Sequence, residues 1–115
     1  MKKVTIYHNP NCSKSRATLK LLQERGVDLK IVEYLVDPPD AQALHTIACQ
    51  LELEPGEFIR TKEEEYAKLN LAAADDRERL LAAMASHPIL IERPIVVAGD
   101  RARLGRPPEQ VLEIL

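Results

Sequence analysis

Residues 4–34 read VTIYHNPNCSKSRATLKLLQERGVDLKIVEY, and the fold turns on this stretch. Val4-Thr5-Ile6-Tyr7 is a β-branched and aromatic run, the composition of a strand. His8-Asn9-Pro10-Asn11 is rich in turn formers. Ser13 to Arg25 then reads as a helix, with Thr18, Leu19 and Leu22 on one face and Gly26 as its stop. Leu29 to Tyr34 supplies a second strand. Strand, helix and strand in this order form a β-α-β unit, with a right-handed crossover and parallel strands.

Beyond it, Asp37-Pro38-Pro39-Asp40 breaks the chain, and Asp40 can cap a helix over 41–53. Leu44, Ile47, Ala48 and Leu51 share one face of that helix. Two more helical segments are expected at about 63–70 and 75–86. Asp75 or Asp76 caps the second, and Leu80, Leu81 and Met84 form its apolar side. Residues of about 40–86 are therefore a helical block inserted between strands. Past His87-Pro88, Pro94 to Val97 reads as a third strand, Gly99-Asp100 as a hairpin turn and Arg101 to Leu104 as a fourth strand. Pro107 or Pro108 opens a last helix, with Val111, Leu112 and Leu115 turned inward. The order β-α-β, helical block, β-β-α predicts an α/β chain with a thioredoxin-like fold and an enlarged helical middle, one domain over residues 1–115.

Composition narrows the function. The chain has 115 residues, 45% of them hydrophobic, as an ordinary globular domain does. Lysine and arginine total 16 against 18 acidic residues, a net charge of −2. Non-specific nucleic-acid binding needs a strong positive balance, so no nucleic-acid partner is expected. No apolar run approaches the roughly 20 residues of a membrane helix. Lys2 and Lys3 precede no long apolar stretch, so no signal peptide is read and a cytoplasmic location is expected. No oligomerisation signal stands out, and the expected state is a monomer.

The two cysteines, Cys12 and Cys49, are too few for a zinc site with the scattered His8, His45 and His87. A reducing cytosol also disfavours a structural disulfide between them. Free cysteines are often buried apolar residues; Cys49, inside a helix, off its apolar stripe and without a cationic cluster, reads as structural or incidental. Cys12 differs because it sits between a strand-ending turn and a helix start. Amide N–H groups in a first helical turn have no intrahelical partner, and the helix dipole adds positive charge there. A thiolate in that place is stabilised. Lys14 and Arg16 add cations nearby, and His8 lies just before the turn. The run Cys12-Ser13-Lys14-Ser15 lacks a second cysteine, so redox work must borrow a thiol from elsewhere.

Arg60, Arg93 and Arg106 stand beside prolines or element ends. A guanidinium is a fork of donors suited to tetrahedral oxyanions. Arg93-Pro94 carries a second expectation. X-Pro bonds are the usual site of cis peptides, and Pro94, at the opening of the third strand, fits the place where the thioredoxin fold carries a cis-proline facing its reactive cysteine; a cis bond there would turn Arg93 toward Cys12.

These segments resemble the glutaredoxin-linked arsenate reductases of the ArsC type. Tyr7 to Arg16 is similar to that family's active-site segment. Glu33-Tyr34-Leu35 with Pro38-Pro39, Arg60-Thr61-Lys62-Glu63 with Tyr66 and Leu69, His87 to Val97, and Leu104 to Glu109 resemble its later signatures, over the whole chain and with matching spacing. The resemblance implies Cys12 as the nucleophile and Arg60, Arg93 and Arg106 as the oxyanion-binding group. It implies that His8 helps keep Cys12 ionised and that the Ser15 hydroxyl can bond the thiolate. It further implies arsenate as substrate, glutathione as co-substrate, glutaredoxin as partner, and no metal, flavin or nicotinamide on this chain.

Three other readings stay open on the sequence: a glutathione-dependent thiol reductase with a different substrate, an Spx-like regulator that binds RNA polymerase, and a non-catalytic thioredoxin-like domain. The acidic run Glu63 to Glu65 lies just past Arg60. It suits a helix start, and it also lowers the local attraction for an oxyanion.

Overall fold

Along β1 (Lys3–Tyr7), Val4 and Ile6 are buried while Thr5 and Tyr7 are half-exposed, the two-residue period of a strand with one face inward. The computed structural model describes residues 3–71 and 76–115. β1 leads through the turn to α1 (Ser13–Glu24), which buries Ser15, Thr18 and Leu22. Gly26 follows in the left-handed conformation, φ 66°, that a residue without a Cβ adopts readily. β2 (Asp28–Val32) then pairs with β1 in parallel, from Lys3 opposite Asp28 to Tyr7 opposite Val32. β3 (Ile95–Ala98) pairs antiparallel with β1 on its other side, and β4 (Arg101–Leu104) antiparallel with β3. The sheet order is β2-β1-β3-β4.

The chain resolves into two compact units. One is the segment up to Asp37 together with Arg93–Leu115; the other is Pro38–Glu92. The first holds the sheet, α1 and a terminal 3₁₀ helix, Pro108–Ile114. Its core joins Val4, Ile6, Leu22, Val96, Ala98, Val111 and Ile114.

The second unit holds α2 (Ala41–Leu51), α3 (Glu64–Lys68) and α4 (Arg77–Ser86). Asp40 caps α2 by accepting the Ala43 N–H at 2.8 Å. Leu44, Ile47, Ala48 and Leu51 of α2 and Leu80, Leu81 and Met84 of α4 are buried, and the two helices pack together. Asp76 caps α4 through the Glu78 N–H at 3.0 Å. The alternative cap, Asp75, lies outside the described residues. No helix among the described residues is long and apolar enough to cross a membrane.

Several boundaries move from the sequence reading, each for a local reason. β2 stops at Val32 because the Glu33 carbonyl accepts both the Val36 and the Asp37 N–H, at 2.9 Å each, and closes a turn. β3 starts one residue after Pro94, which has no N–H to give to a ladder. The last α-helix of the block ends at Ser86, and the compact unit that holds it runs on to Glu92. An antiparallel bridge of Ile59 with Ile91 holds it, flanked by Arg60 N–H to Leu90 O at 2.7 Å and Glu92 N–H to Phe58 O at 2.9 Å. The last element is 3₁₀, so its repeat is three residues and its buried pair is Val111 and Ile114. Leu112 and Leu115, expected to face inward, are only half-buried.

Candidate active site

Strand register brings three chain segments to one edge of the sheet. Tyr7, the last residue of β1, lies opposite Ile95, the first of β3, and Ile95 lies opposite Leu104, the last of β4. The residues just outside those positions are the His8–Cys12 turn, Arg93-Pro94 and Gly105-Arg106. The carboxyl edge of β1 is also where α/β proteins place ligands.

Cys12 occupies the N-cap of α1 in an extended conformation. Its own N–H donates to Asn9 O at 3.0 Å, and its carbonyl accepts the Arg16 N–H at 3.0 Å. The turn before it is held by Asn11 N–H to Asn9 Oδ1 at 2.9 Å and by Arg16 Nη1 to Pro10 O at 2.9 Å. The residue is 8% exposed. Burial pushes the thiol pKa up. The Ser15 N–H, the positive charge of Arg93, the Lys14 N–H and a hydrogen bond from the Arg93 side chain outweigh that, and the pKa falls below the ordinary thiol value. The first helical turn and one guanidinium therefore converge on a single sulfur.

The cation on that sulfur is Arg93. Lys14 acts through its amide, and Arg16 is spent on the Pro10 carbonyl. The Arg93–Pro94 peptide bond is cis, and so is Arg106–Pro107, which the sequence reading did not include. Arg106 is half-buried, and its Nε donates to the Arg93 carbonyl at 2.8 Å. Beside it, the Gly105 N–H donates to Pro94 O at 2.9 Å.

His8 and Ser15 form a second layer behind the turn. His8 is buried, its N–H donates to Val32 O at 2.8 Å, and its Nδ1 lies 2.7 Å from Ser15 Oγ. Burial drives the His8 pKa down; the Glu33 carboxylate raises it and Arg16 lowers it, with a net fall. The neutral imidazole is thus the favoured form. The Ser15 hydroxyl also accepts the Asn9 N–H at 3.0 Å. The Ser15 hydroxyl thus lies on His8 and Asn9, and Ser15 also serves the sulfur with its backbone N–H.

Arg60 belongs to the Pro38–Glu92 unit. Its Nη1 pairs with Glu63 Oε1 at 2.7 Å, so the acidic run past it supplies its partner. Cys49 is exposed on α2, with its Sγ 4.0 Å from His45 Nε2. Among the described residues, no three His, Cys, Asp or Glu side chains gather in a way that could hold a metal ion. Gly105 was missed as a site residue. Its signal was a lone glycine at a strand end, a place where another backbone or ring comes close.

A mixed four-stranded sheet in which an inner strand leads to a cysteine at the head of a helix defines a thioredoxin-like protein with one thiol at its site. Residues 7–114 match the ArsC family. The chain is 53% identical over 116 residues to the uncharacterized protein YfgD of Escherichia coli strain K12, covering 99% of this chain and 98% of that one. It is 48% identical over 114 residues to an arsenate reductase of Haemophilus influenzae, covering 97% and 98%. Among solved structures, an arsenate reductase from Vibrio cholerae superimposes with a TM-score of 0.95 at 52% identity, covering 99% of this chain and 98% of that one. The chain belongs to the ArsC family.

Proposed function

We propose that the protein reduces arsenate to arsenite, with Cys12 as nucleophile and glutathione and glutaredoxin as the source of electrons. The observation that carries this reading is the Cys12 sulfur itself, which receives the Ser15 and Lys14 amides and the Arg93 guanidinium. Those donors favour the thiolate, and a tetrahedral oxyanion can take the same kind of donor. The names of the relatives in Haemophilus and Vibrio support arsenate as the anion.

In this reading the thiolate attacks arsenic, an As–S bond forms and one oxygen leaves as water. Arg93 and Arg106 offset the repulsion between two anions and hold the charge that develops. Glutathione attacks the adduct, and glutaredoxin completes the reduction. Arsenate and two thiols give arsenite, one disulfide and water, so arsenic gains the two electrons the thiols lose. The residue three positions after Cys12 is Ser15, which cannot form a disulfide, and this is why the second thiol comes from outside. The reading places the protein in a reducing compartment such as the cytoplasm, acting as a monomer and with no bound cofactor.

The test is arsenate-dependent oxidation of glutathione with glutaredoxin present, run for the wild type, Cys12→Ser and Arg93→Ala. Wild-type turnover that vanishes in Cys12→Ser is expected. Turnover retained in Cys12→Ser sinks the mechanism. A second reading, a glutathione-dependent thiol reductase for another substrate, is favoured by one observation: the Arg60 charge is already paired with Glu63. It predicts turnover of small disulfides by the same Cys12 and none of arsenate.

A further inference from the structure

Gly105 is buried where β4 ends, between α1 and the segment that carries Arg93. A Cβ placed on it would stand 2.5 Å from Thr18 Oγ1, 2.6 Å from Pro94 Cγ and 3.2 Å from Pro94 Cδ. Both neighbours resist, Pro94 more than Thr18. Thr18 is fully buried, and its hydroxyl donates to the Lys14 carbonyl at 2.8 Å. Pro94 is closed on its own backbone, and its carbonyl accepts the Gly105 N–H at 2.9 Å. Lys14 and Arg93, the residues these two neighbours adjoin by hydrogen bond or by sequence, both supply donors to the Cys12 sulfur.

We propose that Gly105 is a positioning residue for Cys12: its missing side chain leaves room for Pro94 and Thr18 of α1 both to close on the end of β4, and that seating of Pro94 keeps the Arg93 guanidinium on the sulfur. The inference rests on Cys12 being the working thiol, and it holds whatever the substrate is. Of the two contacts, the one with Pro94 matters more. A rotated Thr18 forfeits one hydroxyl bond and leaves the first turn of α1 wound. A displaced Pro94 carries with it the residue bonded to it, Arg93, whose carbonyl is also fixed by Arg106 Nε.

The experiment measures the rate of iodoacetamide alkylation against pH in a Cys49→Ser background, so that only Cys12 is read. Gly105→Ala should raise the midpoint by about one pH unit, the scale on which a thiol responds when an opposite charge leaves it. Gly99→Ala is the control. Gly99 has φ 64° and open space where a Cβ would go, so alanine strains its turn without touching Pro94. Its midpoint should match the parent's even if its melting temperature falls. A folded Gly105→Ala with an unmoved midpoint, or equal shifts in both variants, overturns the proposal. If Gly105→Ala does not fold, the double variant Thr18→Ala, Gly105→Ala relieves the contact on the helix side and leaves the one with Pro94. It should fold with a raised midpoint, and a parental midpoint there also overturns the proposal. Because no arsenate enters the measurement, its result is independent of whether arsenate is the substrate.

Discussion

The Nε of Arg106 donates to the carbonyl oxygen of Arg93 at 2.8 Å. One arginine thus fixes the backbone of another, and the second places its guanidinium on Cys12. Lysine keeps the charge but lacks the planar guanidinium whose Nε holds that carbonyl. Arg106→Lys is expected to lower kcat/KM for arsenate by about tenfold, the loss that corresponds to roughly 1.4 kcal/mol, within the range of one charge-assisted hydrogen bond. Steady-state kinetics checks this. Equal kcat/KM for Arg106→Lys and wild type would show that only the charge matters.

Ser15 offers its N–H to the sulfur and its hydroxyl to His8 and Asn9. Ser15→Ala keeps the first and removes the second, leaving a buried imidazole and a backbone N–H short of a partner. The expected cost is about 1–3 kcal/mol of stability, read by urea denaturation. The pH midpoint of Cys12 alkylation should stay close to wild type, because the amide on the sulfur survives. Arg93→Ala should do the reverse and raise that midpoint. A large shift in Ser15→Ala would mean that the hydroxyl, and not the amide, governs the thiolate.

Folding lowers the Cys12 pKa, so the unfolded chain binds the extra proton at pH values between the folded and unfolded pKa. Stability therefore rises with pH across that window. The contribution is fully present above the unfolded thiol value of ~8.5 and is lost as pH falls through the folded one. Denaturation curves for wild type and Cys12→Ser should accordingly diverge as pH is raised, with wild type gaining, and run parallel above ~8.5. Wild type gaining stability on acidification instead would contradict the direction of the shift.

His8 gives a second, separate slope. Its pKa is also depressed by folding, so the native state favours the neutral ring. Its contribution is intact above the unfolded histidine value of ~6.5 and declines as pH drops through the folded value. His8→Gln should flatten the acid-side loss of stability below ~6.5, measured by thermal unfolding at constant ionic strength. An unchanged acid slope would assign that loss to other groups.

The sequence shows some of this plainly and hides the rest for identifiable reasons. Alternation in Val4 to Tyr7 and the glycine stop at Gly26 mark the β-α-β unit without help from the rest of the chain. Cys12 announces itself by lying where a strand's turn meets a helix start, and Arg93 by preceding a proline at the opening of β3. The donors that act on the sulfur are harder to see, because two of them are backbone amides of Lys14 and Ser15 and carry no side-chain signature. Serine at position 15 suggests a hydroxyl on the thiolate, and only the fold shows that hydroxyl on His8 and Asn9. Arg60 has its partner three residues on, at Glu63, a spacing that sequence does display. Gly105 looks like a turn residue until Thr18 and Pro94 are found on either side of it.

The end of the chain supplies a test of register. Val111, Leu112, Ile114 and Leu115 are all apolar, and an α-helical repeat selects Val111, Leu112 and Leu115 as the inner set. Pro108–Ile114 is 3₁₀, which places every third residue on one side, so Val111 and Ile114 enter the core with Val4, Ile6 and Leu22. Ile114 is 2% exposed, and Leu115 only lies against the outside of the same cluster. Ile114→Ala should cost about 2–5 kcal/mol, the range for truncating a buried aliphatic side chain. Leu115→Ala should cost clearly less, since part of its surface already meets water. Chemical denaturation of the two variants side by side decides the register, and a larger loss for Leu115→Ala would return the segment to the α-helical phase.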